Sequence, residues 1–232
     1  MVGVSNVAAA GTEDAVLRLG AMPAHADALC VFVHGRGQSP EEMGEHVIAR
    51  LRNGSAHVVL PRAQDSVWYD ARAVDPLTEQ TMAQLQAGLD AIDAAVALAI
   101  SEGAPGDRVV LAGFSQGACL SLEYALRRPR RLRGLVAFTG CRVGGALRAQ
   151  AATFLDGLPA YLSCGDADPW IPLGPFFEAA QDLAEAGAAL RVEIFPGRVH
   201  EVLDAEIAAL DAILVQVVAG RAAPGARRGA VA

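Results

Sequence analysis

The stretch RVVLAGFSQGACLSLEYALRRP, residues 108–129, sets a single serine, Ser115, between Gly113 and Gly117. An apolar run leads into it and a helix-forming run leaves it. A turn this sharp leaves no room for side chains two residues either side of the serine, and it lifts the hydroxyl into the open. The start of the following helix, with the main-chain N–H of Gln116, then points at any anion forming beside that hydroxyl. The chemistry suggested is nucleophilic attack by Ser115. A hydroxyl attacks only when a base removes its proton, and the usual base is a histidine oriented by a carboxylate.

Chain order narrows the partners, because behind a strand–turn–helix serine the acid comes next and the histidine last. Of five histidines, His25, His34, His46 and His57 precede Ser115 and only His200 follows it. His200 falls between the expected last strand and last helix, which makes it the candidate base. His34 is expected to serve the structure of its own loop. The carboxylates between Ser115 and His200 are Glu123, Asp156, Asp166, Asp168, Glu178, Asp182, Glu185 and Glu193. Those at 123, 178, 182 and 185 read as helix surface, and Glu193 as part of a strand. The stretch YLSCGDADPWIP is the natural place for the acid: Asp168 is the first choice and Asp166 the alternate. Ordinary loop capping is the competing use of this pair. A second donor to an oxyanion is expected from the loop HGRGQSPEE, through the main-chain N–H of Arg36 rather than its side chain.

These groups need a scaffold. ALCVFVHG (28–35), HVVLP (57–61), RVVLAG (108–113), LRGLVAFTG (132–140), LPAYLSCG (158–165) and LRVEIFPG (190–197) read as strands, the first as one buried on both faces. AVLRLG (15–20) is a candidate edge strand. SPEEMGEHVIARL (39–51) reads as a helix capped by Ser39 and Glu42. TMAQLQAGLDAIDAAVALAI (81–100), QGACLSLEYALRR (116–128), PFFEAAQDLAEAG (175–187) and HEVLDAEIAALDAILVQVV (200–218) read as further helices. No clear helix shows between the strands at 132–140 and 158–165. Alternation of strands and helices predicts a parallel sheet with helices on both faces. The whole chain, 1–232, reads as one domain, with 1–12 and 220–232 as flexible tails.

Composition limits the alternatives. The chain has 26 acidic and 19 basic residues, a net charge of −7, which argues against nucleic acid as a partner. Every basic residue is an arginine, which excludes a Walker-type phosphate loop and a Schiff-base lysine. Cys30, Cys119, Cys141 and Cys164 are scattered without a CxxC pair, as expected for reduced, buried thiols. No stretch reads as apolar for the about 18 residues a membrane span needs, and the N-terminus lacks the pattern of a signal peptide. A soluble, cytoplasmic protein without stable membrane insertion is expected. The run RRPRRLR (127–133) reads as a solvated helix end rather than a phosphate-binding patch.

Strand, G-x-S-x-G, helix is the nucleophile elbow of α/β-hydrolases. With VFVHGRGQSPEEM, LPRAQDSVWYD, LAGFSQGA, CGDADPWIP and VHEV, the chain resembles the phospholipase/carboxylesterase family of α/β-hydrolases, over about residues 28–216. That family includes bacterial carboxylesterases and acyl-protein thioesterases. The resemblance implies an α/β-hydrolase fold of about seven mostly parallel strands without a cap domain. It also implies the triad Ser115, Asp168 and His200 and an oxyanion hole from the N–H groups of Arg36 and Gln116. The activity implied is hydrolysis of small esters through an acyl-enzyme, short-chain carboxylesterase first and acyl thioesterase or lysophospholipase second. No metal or organic cofactor is expected, and relatives often form homodimers. Serine at the elbow argues against the related dienelactone hydrolases, which use cysteine. A non-catalytic binding protein of the same fold is the rival from another class. Two positions depart from the family: Val199 stands where glycine often precedes the histidine, and Trp170 where a small aliphatic residue often follows D-P. Trp170, with Trp68 and Tyr69, either walls the substrate pocket or covers the sheet edge.

Overall fold

The computed structural model of the chain describes residues 15–128, 132–145 and 155–220. Both expected tails fall outside this range, apart from Gly220. The continuous apolar runs become strands with every residue buried: β2 (Ala28–Val33), β3 (Ala56–Pro61), β4 (Val109–Phe114) and β5 (Gly134–Phe138). β1 (Val16–Gly20) pairs antiparallel with β3 at one edge, and β7 (Ala189–Phe195) pairs with β6 (Pro159–Gly165) at the other. Across the sheet the order is β1-β3-β2-β4-β5-β6-β7, and every pairing except β1 with β3 is parallel. The β5–β6 connection runs through residues 146–154, outside the described range, so the expectation of no helix there lies partly beyond it.

Successive strand residues point to opposite faces, so the sheet feeds two helical layers. Leu29, Val31 and Val33 face α2 (Glu79–Ser101), α3 (Gln116–Arg127) and α4 (Leu173–Glu185), where Leu85, Leu89, Leu120 and Phe176 complete the core. Cys30, Phe32 and Val136 face α1 (Pro40–His46) and α5 (Asp204–Ala219), against Met43, Leu210 and Leu214. Full burial of each such side chain contributes roughly 1.5–3 kcal/mol, so the two layers hold the sheet and fix the direction of its rims.

Helix ends follow their caps. The Ser39 hydroxyl accepts from Glu42 N at 3.2 Å, and Glu42 returns the bond by accepting from Ser39 N at 2.7 Å. α1 is shorter than expected: it stops at His46, and Ile48–Arg50 forms a separate 3₁₀ turn. α5 starts four residues later than expected because the Glu206 carboxylate accepts from Leu203 N at 2.7 Å. Residues 200–203 are thereby left as rim loop instead of helix.

Two other expectations are corrected. α2 is, by length and composition, apolar enough to cross a membrane, contrary to the sequence reading; its Leu85, Leu89, Ile92 and Val96 are buried against the sheet. Glu123 is not helix surface. α3 is buried all round, and Glu123 is fully enclosed, with Arg142 Nε donating to its Oε1 at 2.5 Å. The same Arg142 reaches Asp182 at 2.7 Å, so the charge buried on α3 is matched rather than left bare. In the basic run, Arg127 pairs with Glu123 and Arg128 with Asp90, while Arg133 donates to the Asp107 carbonyl. Residues 129–131 of that run lie outside the described range.

Candidate active site

β4 ends at Phe114 and α3 begins at Gln116, so Ser115 alone makes the turn, at φ 55° and ψ −121°. This is a strained conformation for a residue with a side chain. Main-chain bonds hold it: Ser115 N donates to Phe138 O at 2.9 Å, and its carbonyl accepts from Cys119 N at 3.0 Å. The flanking glycines are sterically required. A Cβ on Gly117 would stand 2.1 Å from Val33 O, and one on Gly113 would stand 2.5 Å from the Gly117 carbonyl.

The loop after β7 brings the histidine. Ser115 Oγ lies 2.7 Å from His200 Nε2, and His200 Nδ1 lies 2.7 Å from Asp168 Oδ2. The Asp168 carboxylate is enclosed, and its other oxygen accepts from Trp170 N at 2.8 Å and Ile171 N at 2.9 Å. Those bonds fix the carboxylate plane and leave one oxygen for the imidazole. The Phe114 ring packs against the imidazole at 4.9 Å between centroids. Asp166 is exposed and accepts from Gly197 N instead, bracing the turn between β7 and the His200 loop. Of the two aspartates, the one brought to the histidine is Asp168.

Neither Arg36 N nor Gln116 N donates to a protein acceptor among the described residues. Their side chains do what sequence reasoning missed. Gln116 Oε1 accepts from Trp68 N at 2.9 Å while its Nε2 donates to Tyr69 O at 2.7 Å. Arg36 Nη2 donates to the carbonyls of Tyr69 and Ala71, at 2.7 and 2.5 Å. These two side chains thus clamp segment 68–71 over the rim.

His34 is buried, and both of its ring nitrogens are committed to the main chain. Nε2 accepts from Ala63 N at 3.1 Å, so Nδ1 carries the proton and donates to Gly35 O at 2.8 Å. Burial lowers its pKa from the ordinary 6.5, which favours that neutral form.

A cavity of about 240 Å³ opens over Ser115 and His200, with Tyr69, Cys119 and Trp170 among its lining. The three aromatic candidates divide. Tyr69 is buried and shows one side to the cavity, while Trp170 is 62% exposed at its mouth. Trp68 is not among its lining: the indole packs tilted against the His34 ring, 5.0 Å between centroids, and donates from Nε1 to His34 O. All four cysteines are free and buried, and burial pushes the Cys30 and Cys164 thiols up to about 12.

Arg198 was also missed. Its buried side chain donates to Thr139 Oγ1 at 2.7 Å and to the Glu201 carbonyl, so it spans the loop carrying His200. Beneath it the Ser163 hydroxyl donates to buried Glu206, whose pKa is raised by desolvation. Val199, the departure beside His200, points outward and is 53% exposed.

A mostly parallel seven-stranded sheet, helices on both faces, and a strained serine at a central strand-to-helix turn together define an α/β-hydrolase. The phospholipase/carboxylesterase family matches residues 21–217, and the chain belongs to that family of ester and thioester hydrolases. Acyl-protein thioesterase 1 of Saccharomyces cerevisiae is 25% identical over 211 residues, spanning 82% of this chain and 93% of its own. A phospholipase/carboxylesterase of Dyadobacter fermentans superposes with a TM-score of 0.76 at 27% identity, over 87% of this chain and 96% of its own. The Bacillus cereus carboxylesterase shares the fold, with a TM-score of 0.70 at 17% identity over 87% and 93% of the two chains.

Proposed function

We propose that this chain is a serine esterase that cleaves short-chain carboxylic esters through an acyl-enzyme. The observation that carries the reading is the unbroken relay from Ser115 Oγ through His200 to Asp168, with both contacts at 2.7 Å. His200 Nε2 takes the Ser115 proton as Oγ bonds to the carbonyl carbon, and the C=O electron pair moves onto oxygen. The N–H groups of Arg36 and Gln116 hold that oxyanion. Collapse of the tetrahedral species breaks the bond to the leaving alcohol, which receives the proton from His200. Water, deprotonated in turn by His200, attacks the acyl-enzyme, and the acid departs with Ser115 restored. Asp168 keeps Nδ1 protonated and balances the imidazolium charge. No step needs a metal or an organic cofactor.

The cavity of about 240 Å³ favours short acyl groups, since pockets for drug-sized ligands run to roughly 300–1,000 Å³. Hydrolysis of p-nitrophenyl esters from acetate to decanoate tests the reading. The expected outcome is turnover of acetate and butyrate, little of decanoate, and a loss of at least about 10⁴-fold in Ser115→Ala. Equal inertness of wild type and variant would leave a non-catalytic binding protein. The thioesterase reading is the second one, favoured by the name of the S. cerevisiae relative. A preference for acyl thioesters over matched oxygen esters would put it first. Free, buried thiols accord with a reducing, cytoplasmic setting.

A further inference from the structure

Among the described residues, the cavity over Ser115 is lined by two arginines, Arg36 and Arg72, and by no aspartate or glutamate, in a chain whose net charge is −7. Arg72 is mostly answered by Asp75, which it meets at 2.8 Å. Arg36 is not. Both Nη2 hydrogens are spent on the neutral carbonyls of Tyr69 and Ala71, and no carboxylate pairs with it among the described residues. A guanidinium has five N–H donors, so three remain, on Nε and Nη1. The two carbonyl bonds pin the group, so its charge is held in place before any ligand arrives.

We propose that Arg36 is a specificity-determining residue that selects esters whose acyl chain ends in a carboxylate. The inference rests on Ser115 acting as the nucleophile. It concerns the acyl half because that half is the one fixed in place, its carbonyl lying at the Arg36 and Gln116 amides. The arginine side chain therefore springs from beside the reacting carbon. A carboxylate a few bonds further along the acyl chain meets the pinned guanidinium in a charge-assisted hydrogen bond. Arg72, which is exposed and already paired with Asp75, adds a weaker attraction at the mouth.

The test compares monoethyl glutarate with ethyl 5-methylhexanoate, whose isopropyl end matches a carboxylate in shape, with acid release followed by pH-stat. The expected kcat/KM ratio is about tenfold or more in favour of the glutarate ester at low ionic strength, shrinking as salt is added. Arg36→Gln brings the ratio to about one, whatever it does to both rates through the 68–71 clamp, and Arg36→Lys restores part of it. If wild type cleaves both esters equally and Ser115→Ala cleaves neither, the selectivity is overturned while the esterase reading stands. If wild type cleaves neither these esters nor short p-nitrophenyl esters, the esterase reading falls and takes this proposal with it.

Discussion

Two loops at the same rim of the sheet each deliver a histidine, and they use it in opposite ways. The loop after β2 carries His34, whose ring nitrogens meet a main-chain carbonyl and a main-chain amide. The loop after β7 carries His200, whose ring nitrogens meet a hydroxyl and a carboxylate. His34 cannot take a proton on Nε2 without losing the bond from Ala63. In the proposed mechanism His200 takes one, because the new N–H faces the oxygen that gave it and the carboxylate balances the charge. The difference lies in the partners, main chain against side chain, since both imidazoles are held tightly. One histidine stitches the loop that carries Arg36; the other links a hydroxyl to a carboxylate, the arrangement the proposed mechanism uses to move a proton.

The same substitution at the two positions separates these roles most sharply. His200→Gln should lower kcat on a short ester by about 10⁴-fold or more while leaving Tm within a few degrees of wild type. His34→Gln should do the reverse, with kcat within about tenfold and a stability loss of roughly 1–3 kcal/mol from the disturbed buried hydrogen bonds. Steady-state rates and thermal melts on both variants decide the matter. Comparable rate losses at the two positions would erase the contrast.

A smaller contrast divides the two aspartates that were both candidates. Asp168→Asn removes the acceptor for Nδ1–H and should cost about 10³–10⁴-fold in kcat, as expected when the imidazole tautomer is no longer fixed. Asp166→Asn weakens the turn at Gly197 and should leave kcat within a few-fold. Paired kinetics on the two variants check this, and a large loss at 166 would mean that the brace on the His200 loop matters as much as the relay.

What could be read in the sequence was local pattern or chain order. Gly113, Ser115 and Gly117 lie within one turn, the buried strands are continuous apolar runs, and His200 is the sole histidine behind the serine. The missed features depend on contacts that close far along the chain. Arg198 works through Thr139, 59 residues away, and Glu206 through Ser163, 43 residues away. Nothing near either residue in the sequence announces such a partner. Glu123 was misjudged because a carboxylate on a helix is normally solvated. α3 is a central helix, and Arg142 arrives from the loop after β5 to meet the charge. Trp68 and Tyr69 could not be told apart as neighbours in the chain, yet their side chains point to opposite sides of the segment. The Gln116 and Arg36 side chains were overlooked because the oxyanion argument used only their amides.

The smallest effect expected from the two-histidine contrast is a pH dependence of stability. His34 has its pKa lowered from 6.5 in the folded state by burial, with Arg62 acting in the same direction and the Gly35 bond, Glu42 and Glu41 opposing. As pH falls through 6.5 the unfolded chain takes up a proton that the native state refuses, so the unfolded state binds more protons and stability declines. The contribution of His34 is therefore present in full above its unfolded pKa and lost as pH falls through the depressed folded value. Glu206 runs the other way: its raised folded pKa means stability is lost as pH rises through that value. Because Glu206 is present in both proteins, subtracting the melting profile of His34→Gln from that of wild type between pH 8 and 5 isolates His34. The difference should be largest at pH 8 and narrow toward pH 5. A constant difference across that range would mean that the imidazole at 34 titrates alike in the folded and unfolded chain, and that its burial does not hold it neutral.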